Sequence, residues 1–195
     1  MYLETERLYI REWVKRDIET LAKINSSPLV MEFFQSVMTH DDTYNFVNEI
    51  INHFKKHGFG LYALELKDTY ELIGFCGLKE IEIFIPSLSD APKPVFEIQW
   101  RVSHNVWGKG YAPEAAKCLL HAAFNEFNLE QVIAFTSKLN QKSIRVMEKI
   151  GMTHDERDDF IMPFGNEDIK PHALFKMTSS QYLIGLGEQW NSQST

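Results

Sequence analysis

The chain lacks the features that would place it in a membrane or outside the cell. None of its 195 residues falls in a run approaching the roughly 18 consecutive apolar residues of a membrane-spanning helix. Its first residues, Met-Tyr-Leu-Glu-Thr-Glu-Arg, include acids where a secretory signal has a basic end and an apolar segment. We therefore expect a cytoplasmic protein without a membrane segment.

Cysteine is scarce and shows no pattern. Cys76 and Cys118 lie in a strand-like and a helix-like segment, with neither metal-ligand spacing nor a disulfide framework. We predict two buried free thiols. The seven histidines are scattered, and we predict no metal site. No Cys-His or Ser-His-Asp grouping has a spacing that indicates a covalent acyl-enzyme.

Basic residues are outnumbered, with 20 Lys or Arg against 27 Asp or Glu and a net charge of −7. This balance argues against nucleic acid as the partner, since phosphate binding relies on clustered cations. The charge is uneven, because residues 99–150 hold seven basic and four acidic residues. Such a block suits an anionic cofactor and a cationic acceptor, although solvated helix faces give the same pattern.

Length and pattern indicate one domain over residues 1–183, with a frayed tail over 184–195. An N-terminal strand and two helices, the second with a stripe of Tyr44, Val47, Ile51 and Phe54, precede a meander over residues 59–85. Strands and helices then alternate: strand 97–102, helix 113–127, strand 132–136, helix 140–150 and strand 172–177. This order suits a mixed sheet with helices on both faces.

A glycine turn between strand 97–102 and helix 113–127 is the most informative stretch. Gly108 and Gly110 allow the backbone to turn its N–H groups outward, and Pro113 suits the first position of a helix. Apolar residues then share one helical face: Ala116, Leu119, Leu120, Ala123 and Phe127. Unpaired N–H groups at the positive end of a helix dipole predict a phosphate site.

Two common phosphate loops do not fit this turn. A P-loop requires Ser or Thr after its Gly-Lys, whereas Lys109 is followed by Gly110 and Tyr111. A dinucleotide loop requires Gly-x-Gly-x-x-Gly, and here Pro113 occupies the last position.

Trp107-Gly-Lys-Gly-Tyr-Ala112 instead resembles the acetyl-CoA loop of the GCN5-related N-acetyltransferases, Gln/Arg-x-x-Gly-x-Gly/Ala. The sequence of this loop is similar to that of the RimJ/RimL-like branch, which acetylates the N-termini of ribosomal proteins. Trp107 replaces the usual Gln or Arg, which removes a side-chain donor. A second block, Asn140 to Met152, resembles the later family motif Asn-x-x-Ser-x-x-x-x-Glu-Lys-x-Gly-Phe, with Asn140 as N-cap and Gly151 as the helix end.

The resemblance implies an α+β, mixed α/β fold of three layers. Its central sheet is mixed and mostly antiparallel, with a splayed parallel strand pair, here 97–102 and 132–136, and helices on both faces. Acetyl-CoA would place its pantetheine arm in the gap and its diphosphate on the glycine turn. The implied cofactor-binding residues are Trp100, Arg101, Val102, Trp107, Gly108, Lys109, Gly110, Tyr111, Ala112, Asn140, Ser143 and Arg145.

The same resemblance implies direct attack of an amine on the acetyl group, with two protons to manage. Glu97, at the start of the cofactor-side strand, is our candidate base, and Ser143 is our candidate acid for the leaving thiolate. Glu80 and His172 are rival bases. Each assignment has a structural alternative: an edge carboxylate for Glu97, and a hydroxyl bonded to backbone in a first helical turn for Ser143.

The acceptor is expected to be a primary amine, either a peptide N-terminus or a small molecule, beside a small-molecule acyl donor. The residues expected to bind it are Phe33, Phe34, Glu97, Trp100, Phe160 and His172. We expect a monomer or a homodimer. A non-catalytic acyl-CoA-binding sensor of the same fold is the alternative function, and a scaffold that binds no CoA is a third.

Overall fold

A computed structural model describes residues 2–91 and 93–185. In those ranges nine strands form one sheet: β1 Leu3–Glu4, β2 Leu8–Arg11, β3 Leu61–Leu66, β4 Leu72–Glu80, β5 Phe96–Val102, β6 Gln131–Ser137, β7 Thr153–His154, β8 Phe160–Ile161 and β9 Pro171–Thr178. The longer helices are α1 Asp17–Asn25, α2 His40–His57, α3 Tyr111–Asn125 and α4 Gln141–Lys149. Residues 179–185 are also helical.

The sheet order is β1-β2-β3-β4-β5-β6-β9-β7, with β8 paired to β9. Only the β5–β6 pair is parallel among the described strands, and its register contains two pairs, Phe96 with Val132 and Glu97 with Ile133. β5 continues to Val102 and stays paired with β4 along its whole length. The two parallel strands therefore separate after Glu97, which confirms the predicted mixed fold and its splayed pair.

Helices cover both faces of the sheet. On one face, Ala116, Leu119 and Ala123 of α3 pack in the core with Phe96 and Ile98 of β5. On the other, Leu21 of α1 and Val47 and Ile50 of α2 pack with Ala63 and Phe75. A third cluster lies under β9 and the loop after β4, and includes Ile85, Leu88, Phe160 and Leu174. The three layers follow from these two helical faces.

Helix α2 begins at a capping box, in which the Thr39 side chain accepts from the Asp42 N–H and the Asp42 carboxylate accepts from the Thr39 N–H. Its predicted buried stripe was partly wrong. Thr43, Val47 and Ile50 are buried, whereas Tyr44 and Ile51 are 50% and 38% exposed. The Asn25 amide donates to the Thr43 hydroxyl at 3.2 Å, so this contact with α1 fixes which face turns inward.

Helix α3 begins two residues earlier than predicted, because Gly110 is its N-cap and Tyr111 its first residue. Pro113 is therefore the third helical residue and not the first. Its missing N–H still costs no helical hydrogen bond, since the first turn has no intrahelical acceptors. The predicted apolar face is buried, and Phe127, beyond the end of the helix, stacks on Phe59 at 4.4 Å.

The remaining expectations differ in small ways. The connection between β4 and β5 contains a short 3-10 helix, Pro86–Leu88. Of the tail predicted over 184–195, residues 184 and 185 continue the last helix, and 186–195 lie outside the described residues. The single-domain boundary stays a prediction. None of the helices described here combines the length and the apolar character needed to cross a membrane.

Candidate active site

A cavity of about 740 Å³ opens where β5 and β6 separate. Its walls come from residues 29–35, the ends of β4, β5 and β6, residues 106–113 and helix α4. Most of the predicted site residues line it: Phe33, Phe34, Glu97, Trp100, Arg101, Val102, Trp107, Gly108, Gly110, Tyr111, Ala112, Asn140, Ser143, Arg145 and His172. The fold thus gathers two motifs and the first helical region around one space.

Two predicted site residues do not line the cavity. Lys109 directs its backbone carbonyl away from it, towards the Arg7 guanidinium at 2.9 Å. Phe160 is buried in the core beside β9, in edge contact with Phe135 at 5.3 Å. Phe160 therefore supports a cavity wall from behind, since Phe135 does line the cavity.

The glycine turn has the backbone geometry of an anion cradle. Gly108 and Gly110 have φ values of 77° and 85°, in the left-handed region that side chains disfavour. A Cβ built on Gly108 would meet no atom within 4 Å, so the backbone there is open to a ligand. The turn leads into the 15-residue helix α3, whose first N–H groups lack helical acceptors. A bound diphosphate fits this arrangement.

Helix α4 positions Ser143 through its N-cap. The Asn140 side-chain oxygen accepts from the Ser143 N–H at 3.2 Å, and its Nδ2 donates to the Ser143 hydroxyl at 3.1 Å and to Thr136 Oγ1 at 3.0 Å. The Ser143 hydroxyl oxygen therefore already accepts one hydrogen bond, from Asn140. Its own proton is available to a group in the cavity.

Cations from α4 also line the cavity. Lys142, Arg145 and Lys149 follow a helical spacing on one side of the helix. The Lys142 ammonium lies 3.9 Å from the centre of the Trp107 ring, a cation–π contact across the glycine turn. Trp107 donates its indole N–H to the Val102 carbonyl at 3.1 Å. This residue, which replaces the usual Gln or Arg, thus ties the turn to β5.

Glu97 lies at the point where the strands part and is 6% exposed. Burial raises the pKa of Glu97 to about 8, against the opposing effects of a Gln99 hydrogen bond, the Lys79 charge and the Phe135 N–H. Gln99 Nε2 donates to Glu97 Oε2 at 2.6 Å. A carboxyl group with this pKa exchanges a proton near neutral pH, as a general base must.

The rival bases are placed differently. Glu80 is hydrogen-bonded by Lys56 and by His57, and the Lys56 bond holds the pKa of Glu80 below its usual value. His172 Nδ1 bonds the Lys170 carbonyl at 2.8 Å, which leaves its Nε2 as the acceptor nitrogen. Burial lowers the pKa of His172. His172 thus remains a rival, whereas Glu80 is already hydrogen-bonded to two side chains of α2.

Metal ligands do not gather in this structure. His53 and His57 are four residues apart on α2, but His53 bonds the Phe59 carbonyl and the Glu80 N–H through its two nitrogens. Across residues 2–91 and 93–185, no group of three His, Cys, Asp or Glu side chains forms a candidate metal site. Cys76 is buried as predicted, Cys118 is half-buried, and both are free thiols.

Sequence reasoning missed Gln99 and Arg7, and it placed Arg101 at the cofactor without assigning a role to its side chain. Gln99 and Arg101 share the Glu97 face of β5 because alternate strand residues point the same way, so this signal was present in the sequence. Arg7 contacts the glycine turn from the start of the chain, at a sequence separation of 102 residues from Lys109. No local pattern indicates such a contact.

Residues 7–153 match the model of the acetyltransferase (GNAT) domain family. The chain belongs to this family. It is 31% identical over 192 residues to the uncharacterized N-acetyltransferase YnaD of Bacillus subtilis, covering 98% of this chain and 100% of that protein. This GNAT protein is accordingly an acetyl-CoA-dependent acetyltransferase, and the predicted enzyme class is confirmed.

Solved structures agree with the GNAT fold. An acetyltransferase of the GNAT family from Bacillus anthracis is 28% identical, with a TM-score of 0.74 over 92% of this chain and 99% of that one. A spermidine N-acetyltransferase from Vibrio cholerae, in complex with CoA and spermine, has a TM-score of 0.70 over 92% and 99% of the two chains. At 19% identity, the latter similarity is one of fold.

Proposed function

We propose that this protein transfers an acetyl group from acetyl-CoA to a primary amine by direct attack in a ternary complex. Glu97 accepts the amine proton, and Ser143 donates a proton to the departing sulfur. The observation that carries the proposal is the single cavity whose walls contain the glycine turn, Glu97 and Ser143. An acyl donor and an amine can meet there without leaving the protein.

The residues present fit acetyl-CoA, which when bound supplies an activated thioester as acyl donor. The N–H groups from Gly108 to Ala112 would hold the diphosphate, helped by Arg145. The β5 backbone from Trp100 to Val102 has no strand partner on the β6 side, so it can hydrogen-bond an extended pantetheine arm as a further strand would. These assignments use main-chain groups, which explains why the side chains there need no special chemistry.

Glu97 suits the first proton transfer because of its raised pKa. At neutral pH an α-amino group with a pKa near 8 is roughly one tenth free base, whereas a lysine amine with a pKa near 10.4 is free about once in a few thousand molecules. A base with a pKa of about 8 removes a proton from either amine more effectively than an ordinary carboxylate. Its location at the strand fork places it at the inner end of the gap.

Ser143 suits the second transfer because its hydroxyl already accepts from Asn140. The remaining hydroxyl proton can be donated to the thiolate, and the Asn140 contacts hold the side chain in place for this. Charge stabilisation of this kind depends on donors fixed before the reaction.

We also propose a branch of the family and an acceptor class for this enzyme. The amino-acid sequence from Trp107 to Ala112 supports membership of the RimJ/RimL-like branch, whose acceptors are protein N-termini. A small amine is the alternative acceptor. A cytoplasmic location and a monomeric or homodimeric state stay predictions.

The test is steady-state CoA thiol release with acetyl-CoA and a panel of peptides with free N-termini, polyamines, aminoglycosides and small amines. We expect turnover with at least one amine class and none without an amine. Tight CoA binding, measured by calorimetry, with no turnover on any amine would contradict the proposal and favour the sensor function. Absence of CoA binding would favour the scaffold.

A further inference from the structure

Three polar side chains of β5, Glu97, Gln99 and Arg101, lie on the same face of the sheet because strand residues alternate. This is the face covered by α1 and α2, and all three side chains line the cavity. Glu97 and Arg101 are four residues apart, so their Cα atoms are separated by about 13 Å along the strand. The acceptor side of the cavity therefore has a carboxylate at one end and a guanidinium at the other.

Arg101 is fixed in position by its surroundings. Its Nη1 donates to Asn25 Oδ1 at 2.8 Å and to Met38 Sδ at 3.4 Å. The centres of the Phe34 and Phe75 rings lie 4.4 Å and 5.3 Å from its Cζ. A guanidinium held by hydrogen bonds at one tip and by aromatic rings is preorganised to bind a ligand along its remaining edge.

Among the described residues, none accepts a hydrogen bond from the remaining edge of the guanidinium. Within the described ranges, no carboxylate forms an ion pair with Arg101, and its buried Nε has no hydrogen-bond acceptor. No described acceptor is bonded to Nη2 either. Burial lowers the pKa of Arg101 to about 10, so it is still a cation at neutral pH. A buried cation without an anion is costly, and native proteins usually pair it.

Arg11 illustrates how this chain treats an arginine that is structural. Its side chain is 13% exposed, and it is paired with two carboxylates, Asp17 at 2.7 Å and Glu65 at 2.6 Å. Arg101 has no such partner, yet it lines the cavity. The difference indicates that the anion for Arg101 comes from a ligand.

We propose that Arg101 binds a carboxylate of the acceptor through its Nη2 group, so that the substrate is a primary amine that also carries a carboxylate. The inference rests on the proposed function and names its substrate class. Nη2 carries two N–H donors and, among the described residues, has no acceptor, so it can donate to a carboxylate oxygen in a charge-assisted hydrogen bond. Because Glu97 receives the amine about 13 Å along the strand, the two groups are separated by several bonds, as in an ω-amino acid or a dipeptide.

Other charges around the cavity agree with this polarity. Glu32 and Glu82 are exposed at its rim, where solvent screens them. The cations Lys142, Arg145 and Lys149 belong to the opposite wall, on α4, where the acyl donor is proposed to bind. Lys79 also lines the cavity, but it pairs with Glu97 across β4 and β5 and so lies at the Glu97 end. Arg101 is thus the cation at the opposite end of the acceptor side, and a polyamine would place a positive charge against it.

The test compares ω-amino acids of increasing length, and the dipeptide Gly-Gly, with their matched C-terminal amides as acceptors. We expect kcat/KM of the best acid to exceed that of its amide by tenfold or more in the wild type. Arg101→Gln should remove this preference, so that the ratio of kcat/KM for the acid to kcat/KM for its amide falls to about one, whatever the rate on the amide. Arg101→Lys should restore part of it, because the positive charge returns without the planar guanidinium. Arg157→Gln, which removes a guanidinium outside the cavity, is the matched control.

The outcomes separate the inference from the function on which it rests. Equal rates for acids and amides in the wild type, or an equal loss on both in Arg101→Gln, would overturn the role of Arg101 while leaving acetyl transfer intact. Failure of every amine, charged or neutral, would instead contradict the proposed function. If Arg101→Gln does not fold, a short carboxylic acid lacking the amine should still inhibit the wild type competitively, and its amide should not; inhibition by both or neither would overturn the inference.

Discussion

Arg7 forms three contacts with Glu114, although 107 residues separate them in the sequence. Its Nε donates to Glu114 Oε2 at 2.7 Å, its Nη2 lies 2.5 Å from the same oxygen, and its backbone N–H donates to Oε1 at 3.0 Å. Its Nη1 also donates to the Lys109 carbonyl at 2.9 Å. Arg7 therefore holds the glycine turn and neutralises the one acid in the first turn of α3.

Replacing Arg7 with Ala should weaken CoA binding by about tenfold, because Glu114 would then place an uncompensated negative charge beside the diphosphate. Calorimetric titration with CoA measures the effect. Adding Glu114→Gln should recover part of the affinity. Lys67→Ala, which removes a partly exposed ion pair with Glu4, is the control. An unchanged dissociation constant for CoA in Arg7→Ala would mean that Arg7 does not support CoA binding.

Gly108 and Gly58 form a matched pair for testing the turn. Both have φ of 77°, and a Cβ on either would meet no atom within 4 Å. Alanine at each position should therefore cost a similar ~1–2 kcal/mol of folding stability through the left-handed backbone. Only Gly108→Ala should also weaken CoA binding, because its Cβ would occupy the space of the ligand. Equal CoA affinity in the two variants would mean that the turn is not the diphosphate site.

Ser143→Ala should lower kcat by about 10–100-fold with little change in the KM for acetyl-CoA, since the hydroxyl acts on the leaving sulfur and not on binding. Single-turnover rates measure the chemical step. Ser180→Ala removes a hydroxyl from the start of helix 179–185, outside the cavity, and serves as control. A normal kcat combined with a lowered melting temperature would assign Ser143 to helix capping alone.

The pH dependence of turnover should identify the base. If Glu97 is the base, wild-type kcat/KM rises with pH through an apparent pKa of about 8, because only the deprotonated carboxylate accepts a proton. The activity lost in Glu97→Gln should recover as pH increases from 6 to 9, where solvent deprotonates the amine. A midpoint below 6.5 that persists in Glu97→Gln and disappears in His172→Gln would make His172 the base.

Burial of Glu97 also has a consequence for stability. Its pKa is raised on folding from 4.5 to about 8, so the folded state binds the proton more tightly than the unfolded state. Stability is thus lost as pH rises from about 4.5 to about 8. Glu97→Gln should unfold at higher denaturant concentration than the wild type at pH 9, by a few kcal/mol in free energy, with a smaller difference at pH 5. A difference independent of pH would mean that the folded carboxyl group is hydrated.

Local signals carried much of the prediction. The N-cap role of Asn140 and the left-handed Gly151 follow from side-chain and backbone chemistry within a few residues, and both are present in the structure. The glycine turn was located in the same way. Contacts between segments that are distant in the sequence could not be predicted in this way. The Asn25–Thr43 bond turned the buried face of α2, and the Asn25–Arg101 bond, across 76 residues, set the direction of a guanidinium.

The prediction for Arg101 illustrates the same limit. The family resemblance assigned this position to the cofactor through its backbone. Strand alternation places its side chain on the face of Glu97, but the packing of Phe34 and Phe75 against its guanidinium is a contact between distant segments. Its surroundings, and not its residue type, therefore suggest its role.

A crystal structure with bound CoA would show where the cofactor lies. We expect diphosphate oxygens within hydrogen-bond distance of the N–H groups from Gly108 to Ala112, the pantetheine arm between β5 and β6, and its sulfur beside Ser143. A diphosphate bound elsewhere, or a turn whose N–H groups point into the protein, would contradict this expectation.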